Sequence, residues 1–453
     1  MRPKTTREGY LDFSGESSLK VVNEYRDKYR RISDLLEANP RILTLAHRDL
    51  VRTLSESRGG RSGYTSEQIL RALVVMFVEQ DSYRQAVIRI ENSEFLRHFV
   101  RLGVKATMDY SFLSKAYGVI SEGTWQAINQ VLGEYARGEE KIEGEKMRLD
   151  TTVVETNIHY PTDSSLLWDG FRTLARLLQG IQQVHPEWDL GHRFHVKKVK
   201  KLAYFIARHG GSPSQRQQRK VKRTYGVLIA RVGWIVGVAK EALSLAGPRD
   251  VEAVELAHYA PIVERIIDQA QRRIFDGKIV PADEKVYSLF EEHTELLKRG
   301  KAGKPIEFGH KVLLAQTKEK FIHHYAVLPR RKDDPELLDP TRKAHEDLFG
   351  QPPDLLAADK GFYRSMDQIA ELEEDISVVS IGKKGRRTRE EIARENTEGF
   401  KEGQRFRAGS EGSISVLKRA FKLGKCLFKG FKHYAACVGL AVFCHNLVLL
   451  TRL

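Results

Sequence analysis

The sequence predicts an α/β protein: a mixed sheet with helices on its faces, interrupted by a long helical insertion and preceded by an all-α N-terminal domain. Three observations predict it. Apolar residues keep a helical spacing from residue 18 to about 137. Runs rich in β-branched residues replace that spacing at 147–155 and again after His310. Between those strand regions, from 171 to about 299, the spacing is helical once more.

In the N-terminal part, Thr65-Ser-Glu-Gln68 is a capping box, and Ile69, Leu70, Leu73, Val74 and Phe77 form the buried stripe of the helix it opens. Short helices follow at 82–92, 94–102, 110–117 and 123–135. Such a set can hold a helix-turn-helix or be a plain bundle used for assembly; no base-reading side chain decides between them. Ser82-Tyr-Arg-Gln85 is the best phosphate-contacting edge. The strand at 147–155 is closed by Asn157 and Pro161. The insertion repeats helical stripes in Leu174, Leu177, Leu178 and Ile181, in Leu228, Ile229, Val232, Ile235 and Val236, and in Ile262, Val263, Ile266 and Ile267. Residues 310–317 and 321–327 read as adjacent strands, 341–349 as a helix, 355–358 as a strand, 365–373 as a helix and 376–381 as a strand, with a helical block from about 408 to 450. With the insertion set aside, this is the element order of a ribonuclease H-like fold. The expected divisions are 1–140, a helical domain for DNA binding or dimerisation; 141–165, the first part of the ribonuclease H-like domain; 166–302, the basic helical insertion; and 303–453, the remainder.

A net charge of +15 and a pI near 9.5 favour a polyanionic partner, because each neutralised phosphate releases condensed counterions. Cys426, Cys437 and Cys444 are an odd set that makes no disulfide framework, and a reducing interior is expected. The N-terminus has no apolar stretch of the secretory kind. Residues 434–450 are apolar but interrupted by His445 and Asn446 and shorter than the ~20 residues that span a bilayer, so a buried helix is expected there and no membrane partner.

Three carboxylates carry the chemistry. Asp150 sits in mid-strand, Asp359 at the carboxyl end of a strand with Gly361 allowing a sharp exit, and Glu411 on a helix. At about 100° per residue, Arg407, Glu411 and Lys418 fall within roughly 40° of one another and can share one partner. Carboxylate oxygens are hard ligands suited to Mg²⁺, and two such ions about 4 Å apart offset charge on both the attacking and the leaving oxygen of a phosphodiester.

At this point the sequence resembles a family. Leu149-Asp150-Thr151-Thr152, Ala358-Asp359-Lys360-Gly361-Phe362 and the Arg407/Glu411/Lys418 spacing are similar to the three catalytic blocks of the DDE transposases of bacterial insertion sequences. Thr151-Thr-Val-Val-Glu-Thr-Asn157 and the helical segment 65–117 resemble the subgroup with an N-terminal helical domain. The resemblance implies that Asp150, Asp359 and Glu411 bind Mg²⁺, with Mn²⁺ able to substitute, and that Arg407 and Lys418, with Lys422 beside them, contact transposon-end DNA. It further implies cutting at element ends, joining of 3′ ends to target DNA, double-stranded DNA as partner, a homodimer or larger assembly on it, and a cytoplasmic, nucleoid-associated setting. In two respects the chain departs from that family. Gln404 stands where related enzymes have a tyrosine, and the first two acids are unusually far apart, a gap assigned to the insertion.

The insertion carries the strongest basic stretch. From His192 to Arg223 lie Arg193, Lys197, Lys198, Lys200, Lys201, Arg208, Arg216, Arg219, Lys220, Lys222 and Arg223, with no Asp or Glu. Phe194, Tyr204 and Phe205 are interleaved, and Gly210-Gly-Ser-Pro-Ser214 separates two helices. So one-sided a run repels itself unless something anionic covers it, which points to DNA. Lys383-Lys-Gly-Arg-Arg-Thr-Arg389 is a second basic run. His433, Cys437, Cys444 and His445 match no zinc spacing and read as core, as do His192, His195, His323 and His324. Two other functions stay open: a non-catalytic DNA-binding protein, and a ribonuclease H-like nuclease that cuts without joining.

Overall fold

Between residues 65 and 138 the helices begin where the side chains of Thr65, Ser82, Ser93, Asp109 and Ser121 replace the missing backbone partners of a helix end. The structure, a computed structural model, describes residues 3–5, 17–52, 63–188, 190, 192–247, 250–298, 305–329 and 333–453. The first helices are α1 (Lys20–Ala38), α2 (Pro40–Arg52), α3 (Ser66–Val78), α4 (Tyr83–Glu91), α5 (Glu94–Val100), α6 (Tyr110–Val119) and α7 (Glu122–Gly138). Reciprocal capping boxes open α3 (Thr65 with Gln68) and α4 (Ser82 with Gln85), so Gln85 is engaged in the cap. The apolar stripe of α3 understates its burial, because α2, α4, α5 and α6 surround it.

The chain continues as β1 (Lys146–Thr156), α8 (Asp163–Val184), α9 (Val196–His209), α10 (Gln215–Leu245), α11 (Val251–Ile274) and β2 (Glu295–Lys298). Then come β3 (Ile306–Gln316), β4 (Ile322–Val327), α12 (Leu338–Phe349), β5 (Leu355–Ala358), α13 (Met366–Glu373), β6 (Val378–Ile381), α14 (Arg389–Glu395), α15 (Glu398–Ala420), β7 (Lys425–Cys426) and α16 (Phe431–Leu450). The sheet is mixed and open, in the order β2-β3-β1-β5-β6, with β4 also on β3 and β7 on β1. β5 runs parallel to β1 and β6 parallel to β5, while β2 and β4 are antiparallel to β3.

Two compact units result: residues 1–155 with 310–453, and residues 156–309. The first has no separate N-terminal core. Helices α1 to α7 share one apolar cluster with Val154, Val312, Tyr325 and α16, so an independent domain ending at 140 is not what the packing displays. The reason is α16, apolar all round and therefore buried all round. It is the one helix among the described residues long and apolar enough to cross a membrane, and it lies inside the core. Its Asn446 accepts from Ile322 N–H (3.1 Å) and donates to Ile322 O (2.9 Å), completing the end of β4. Each of those groups left unpartnered would cost about 1–3 kcal/mol. Cys426, Cys437 and Cys444 are free and buried, with burial pushing the Cys444 thiol up.

The second unit packs α8, α9, α10 and α11 around its own apolar cluster. Helix was expected to about 299, but α11 ends at Ile274 and β2 pairs with the start of β3. Gly277, at φ +67°, and Pro281 prevent the helix from continuing. The final block also divides: α15 starts early, at Glu398 behind its Thr397 cap, and Gly430 at φ +79° separates it from α16.

In the first unit, fully buried His345 lies with Nε2 2.9 Å from Gly144 O and Nδ1 3.4 Å from His323 Nε2. A neutral chain satisfies both contacts, His323 donating to His345 and His345 to Gly144. Burial pushes His345 down to about 4 and holds His323 well below its ordinary value, the neighbouring imidazole adding to the latter. An unfolded imidazole titrates near ~6.5, so the unfolded chain binds more protons below that pH and stability falls as pH drops through the window toward 4. We expect the melting temperature followed by circular dichroism to fall from pH 7 to pH 5, and to fall less for His345→Gln; equal slopes for the two proteins would refute this origin.

Candidate functional site

Parallel pairing decides which residues of β1 and β5 stand side by side. Lys146, Met147 and Arg148 pair with Leu355, Leu356 and Ala357; carried two residues further, the same register puts Asp150 level with Asp359, on strands about 4.8 Å apart. Both Asp150 oxygens accept hydrogen bonds, from Thr151 N–H and from Ser410 Oγ on α15, each at 2.7 Å. Burial raises the Asp150 carboxyl above its usual range and the charge of Asp359 raises it further, while Ser410, Thr151 and Arg407 act the other way. Asp359 caps the turn after β5 and accepts from Gly361 N–H at 2.7 Å.

Gly361 was expected to ease a sharp exit, but its φ is not positive and the reason for glycine is space. A Cβ there would lie 2.9 Å from Asp359 Oδ1 and 2.7 Å from Asp334 Oδ2. Asp334 is thus a further carboxylate beside Asp359, and Lys311 of β3 holds its other oxygen at 2.8 Å. Sequence reasoning missed Asp334, since nothing in Asp333-Asp-Pro335 marks it.

Helix α15 is brought close to the sheet by small residues and one buried cation. A Cβ on Gly403 would overlap Ser380, and one on Gly409 would overlap the Arg148 guanidinium. Arg148 donates from Nε and Nη2 to Gln316 Oε1 (3.1 and 2.9 Å), from Nη1 to Phe406 O (3.1 Å) and from Nη2 to Ser413 Oγ (3.3 Å). Ala408-Gly409-Ser410, three small residues in mid-helix, was the available signal of this close approach. Arg148 itself, two residues from Asp150 in an apolar strand, was the other.

Of the expected site residues, Asp150, Asp359 and Arg407 come within electrostatic reach of one another, and Arg407 Nε is buried without a hydrogen-bond partner. Glu411 is exposed, one residue past Ser410, and no three His, Cys, Asp or Glu side chains among the described residues are gathered closely enough to ligate a metal. Lys418 donates to Val153 O of β1 at 2.8 Å. Lys422 donates to Asp81 O and lies 5.6 Å from the centre of the Phe77 ring, with burial lowering its pKa. These two ammonium groups, expected on a DNA face, are engaged inside the fold, because helical phase names a face without naming what covers it. Gln404 donates to Ser380 O at 2.8 Å and so fastens α15 to β6.

The second basic run is tethered near the end of β6: Lys383 bridges Glu391 at 2.8 Å, which also accepts from Tyr363 Oη at 2.7 Å. Lys383, the Thr388 backbone and Tyr363 together hold Glu391 down to about 2. Lys384, Arg386 and Arg389 stay exposed.

In the second unit, Lys197, Lys198, Lys200 and Lys201 on α9, and Arg216, Arg219, Lys220, Lys222 and Arg223 on α10, are all exposed, and none bridges a carboxylate among the described residues. Tyr204, 63% exposed, lies under Lys200, and Phe205 under Lys220. Lys197, Lys200, Lys201, Tyr204 and Arg208 line a concavity of about 450 Å³. Such an arrangement suits an extended polyanion. No family model, curated protein or solved structure matches the chain.

Because its folded pKa is raised, ionised Asp150 opposes folding at neutral pH, and the opposition disappears where the acid is protonated in both states. Asp150→Asn is therefore expected to melt higher than wild type at pH 7, with the gain shrinking toward pH 4; a lower melting temperature at pH 7 would contradict it. Gly409→Ala should cost about 1–3 kcal/mol in a denaturant titration, as overpacking does, since Arg148 is held on several sides. An unchanged midpoint would show that α15 has room to spare.

Proposed function

We propose that the chain is a DNA transposase that cuts at element ends and joins the 3′ ends to target DNA. The observation that carries the reading is the Asp150–Asp359 pair, level on parallel neighbours, with Arg407 and Ser410 delivered to it by α15. The strand order β3-β1-β5-β6, with β2 and β4 both antiparallel on β3 and the acids on the central strand and just past the end of its parallel neighbour, supports a ribonuclease H-like domain. The exposed cations of α9 and α10 support duplex DNA as partner. Joining two ends calls for at least a homodimer.

The acid pair fits a hard divalent cation, because burial and then the charge of Asp359 raise Asp150, and two carboxylates plus water satisfy Mg²⁺. Asp150 and Asp359 would hold it, with Glu411 from α15 as third acid, and Mn²⁺ would fit the same oxygens. Bound there, divalent cations offset charge on the attacking and leaving oxygens. Ser410 fixes one oxygen of Asp150 and so the direction of the other. Arg407 places positive charge beside the phosphate. In the first step water oxygen bonds to phosphorus as the P–O3′ bond breaks, and the 3′ oxygen leaves with a proton. In the second, that 3′-hydroxyl bonds to a target phosphorus as another P–O3′ bond breaks, its proton passing by way of solvent to the departing 3′ oxygen.

Asp150→Ala and Asp359→Ala should each lower Mg²⁺-dependent nicking of supercoiled plasmid about a thousandfold, the loss expected when several kcal/mol of charge stabilisation go, while duplex affinity persists. Full nicking by either variant would reject the reading. If the wild type binds DNA but never nicks it, the exposed cations of the second unit leave a non-catalytic DNA-binding protein as the function. Nicking without joining of a 3′ end would leave a nuclease. Replacing Lys197, Lys198, Lys200 and Lys201 with Gln should flatten the salt dependence of duplex binding, by about 0.9 in log–log slope for each phosphate that is no longer neutralised. An unaltered slope would remove α9 from the interface.

A further inference from the structure

A pocket of about 320 Å³ lies within the second unit and shares no residue with the α9–α10 cations or the acid pair. Its wall is aromatic. Tyr160 and Tyr287 each lie 5.6 Å, centre to centre, from Phe308, with Tyr160 edge-on and 70% exposed. The floor is held rigidly: Gln269 accepts from Val286 N–H at 3.0 Å and donates to Val286 O at 3.4 Å, and Tyr287 Oη donates to Ala282 O at 3.1 Å.

The charges at the rim choose the ligand. An aromatic wall by itself would suit a cation as well as a planar ring. Here Arg273, Lys278 and Lys285 line the opening, and the one acid among the lining residues, Asp163, is buried and bridged to Arg273 at 2.9 Å. Lys278 bridges Asp276 at 3.8 Å, at the surface, whereas Lys285 bridges no carboxylate among the described residues. A cationic guest is repelled, and a planar guest carrying negative charge is favoured. The size suits one such group, not a duplex.

We infer that this pocket takes a single unpaired nucleotide, its base against Tyr160 and Phe308 and its phosphate toward Lys285 and Lys278. The choice of a nucleotide over another aromatic anion rests on the DNA reading above. Two sources share this chemistry: an unpaired base in a DNA strand, and a free mononucleotide.

The test uses the full chain and 2-aminopurine, whose fluorescence is quenched on stacking. Three probes are compared: a single-stranded oligonucleotide containing 2-aminopurine, the same strand paired in a duplex, and 2-aminopurine riboside 5′-monophosphate. Quenching of the single strand is expected, with binding about tenfold weaker for Tyr160→Ala, the loss typical of one base–aromatic stack. Lys285→Gln should weaken it in the same sense. Quenching of the monophosphate as well identifies a free-nucleotide site; quenching of the strand alone identifies an unpaired base. Absence of quenching with all three probes, or equal quenching by wild type and Tyr160→Ala, overturns the inference. Anisotropy of a labelled duplex, read in parallel, separates the two failures. A protein that binds duplex yet quenches nothing loses only the pocket, whereas one that binds no duplex loses the DNA reading itself.

Discussion

The site depends on one buried cation. Arg148 stands on β1 two residues before Asp150, with its guanidinium between the strand and α15, against the Phe406 ring. Taking such a charge out of water costs several kcal/mol unless its donors are satisfied, and here Gln316, the Phe406 carbonyl and Ser413 accept from it. That requirement fixes the height of the helix. With Phe406 and Ser413 both tied to Arg148, the residues between them can meet β1 at one level only, which is how Ser410 reaches Asp150. Burial depresses the Arg148 guanidinium while the charge of Asp150 supports it, so the structural ion and the candidate catalytic one are linked electrostatically as well as by position.

The two units handle charge differently. In the first, four cations around the acids are engaged, Arg148 by amide and carbonyl oxygens, Lys311 by Asp334, Lys383 by Glu391 and Lys418 by a strand carbonyl, while Arg407 keeps its Nε unpartnered. In the second, the lysines and arginines of α9 and of the first turns of α10, from Lys197 to Arg223, stand in solvent without acidic partners among the described residues. Surface repulsion of this kind is a standing cost that a monomer has no reason to carry, and it is offset when a polyanion replaces the counterions. The positive charge of the whole chain therefore understates how local the expression of that charge is.

Much of this was legible in the sequence, for identifiable reasons. Strand 355–358 was readable to the residue because four apolar residues lie between turn formers, and the capping box at Thr65 marks a helix start by chemistry that needs no tertiary context. Asp150 and Asp359 stood out as acids in strand settings that disfavour them. What escaped is what depends on remote partners. Asp334 reaches the neighbourhood of Asp359 from the start of a short 3-10 helix, β2 is only four residues long and exists through β3, and the N-terminal helices lack a core of their own because α16 arrives from the far end of the chain. Lys418 and Lys422 illustrate the same limit, since periodicity assigns a face and packing decides its use.

Glu411 shows what the helix can and cannot do. On α15 it is about 100° from Ser410 and about 40° from Arg407, so turning Glu411 toward the acid pair by rotating the helix would carry Ser410 off Asp150. It would also strip Arg148 of Ser413 and drive helix backbone across the close contacts at Gly403 and Gly409. Those contacts are buried and mutually dependent, and each hydrogen bond lost by a buried charge costs about 1.5–3 kcal/mol. An exposed glutamate, by contrast, changes rotamer for a fraction of that. Any union of the three acids would therefore come from the Glu411 side chain swinging over a fixed helix, with α15 itself serving as the rigid part of the candidate site.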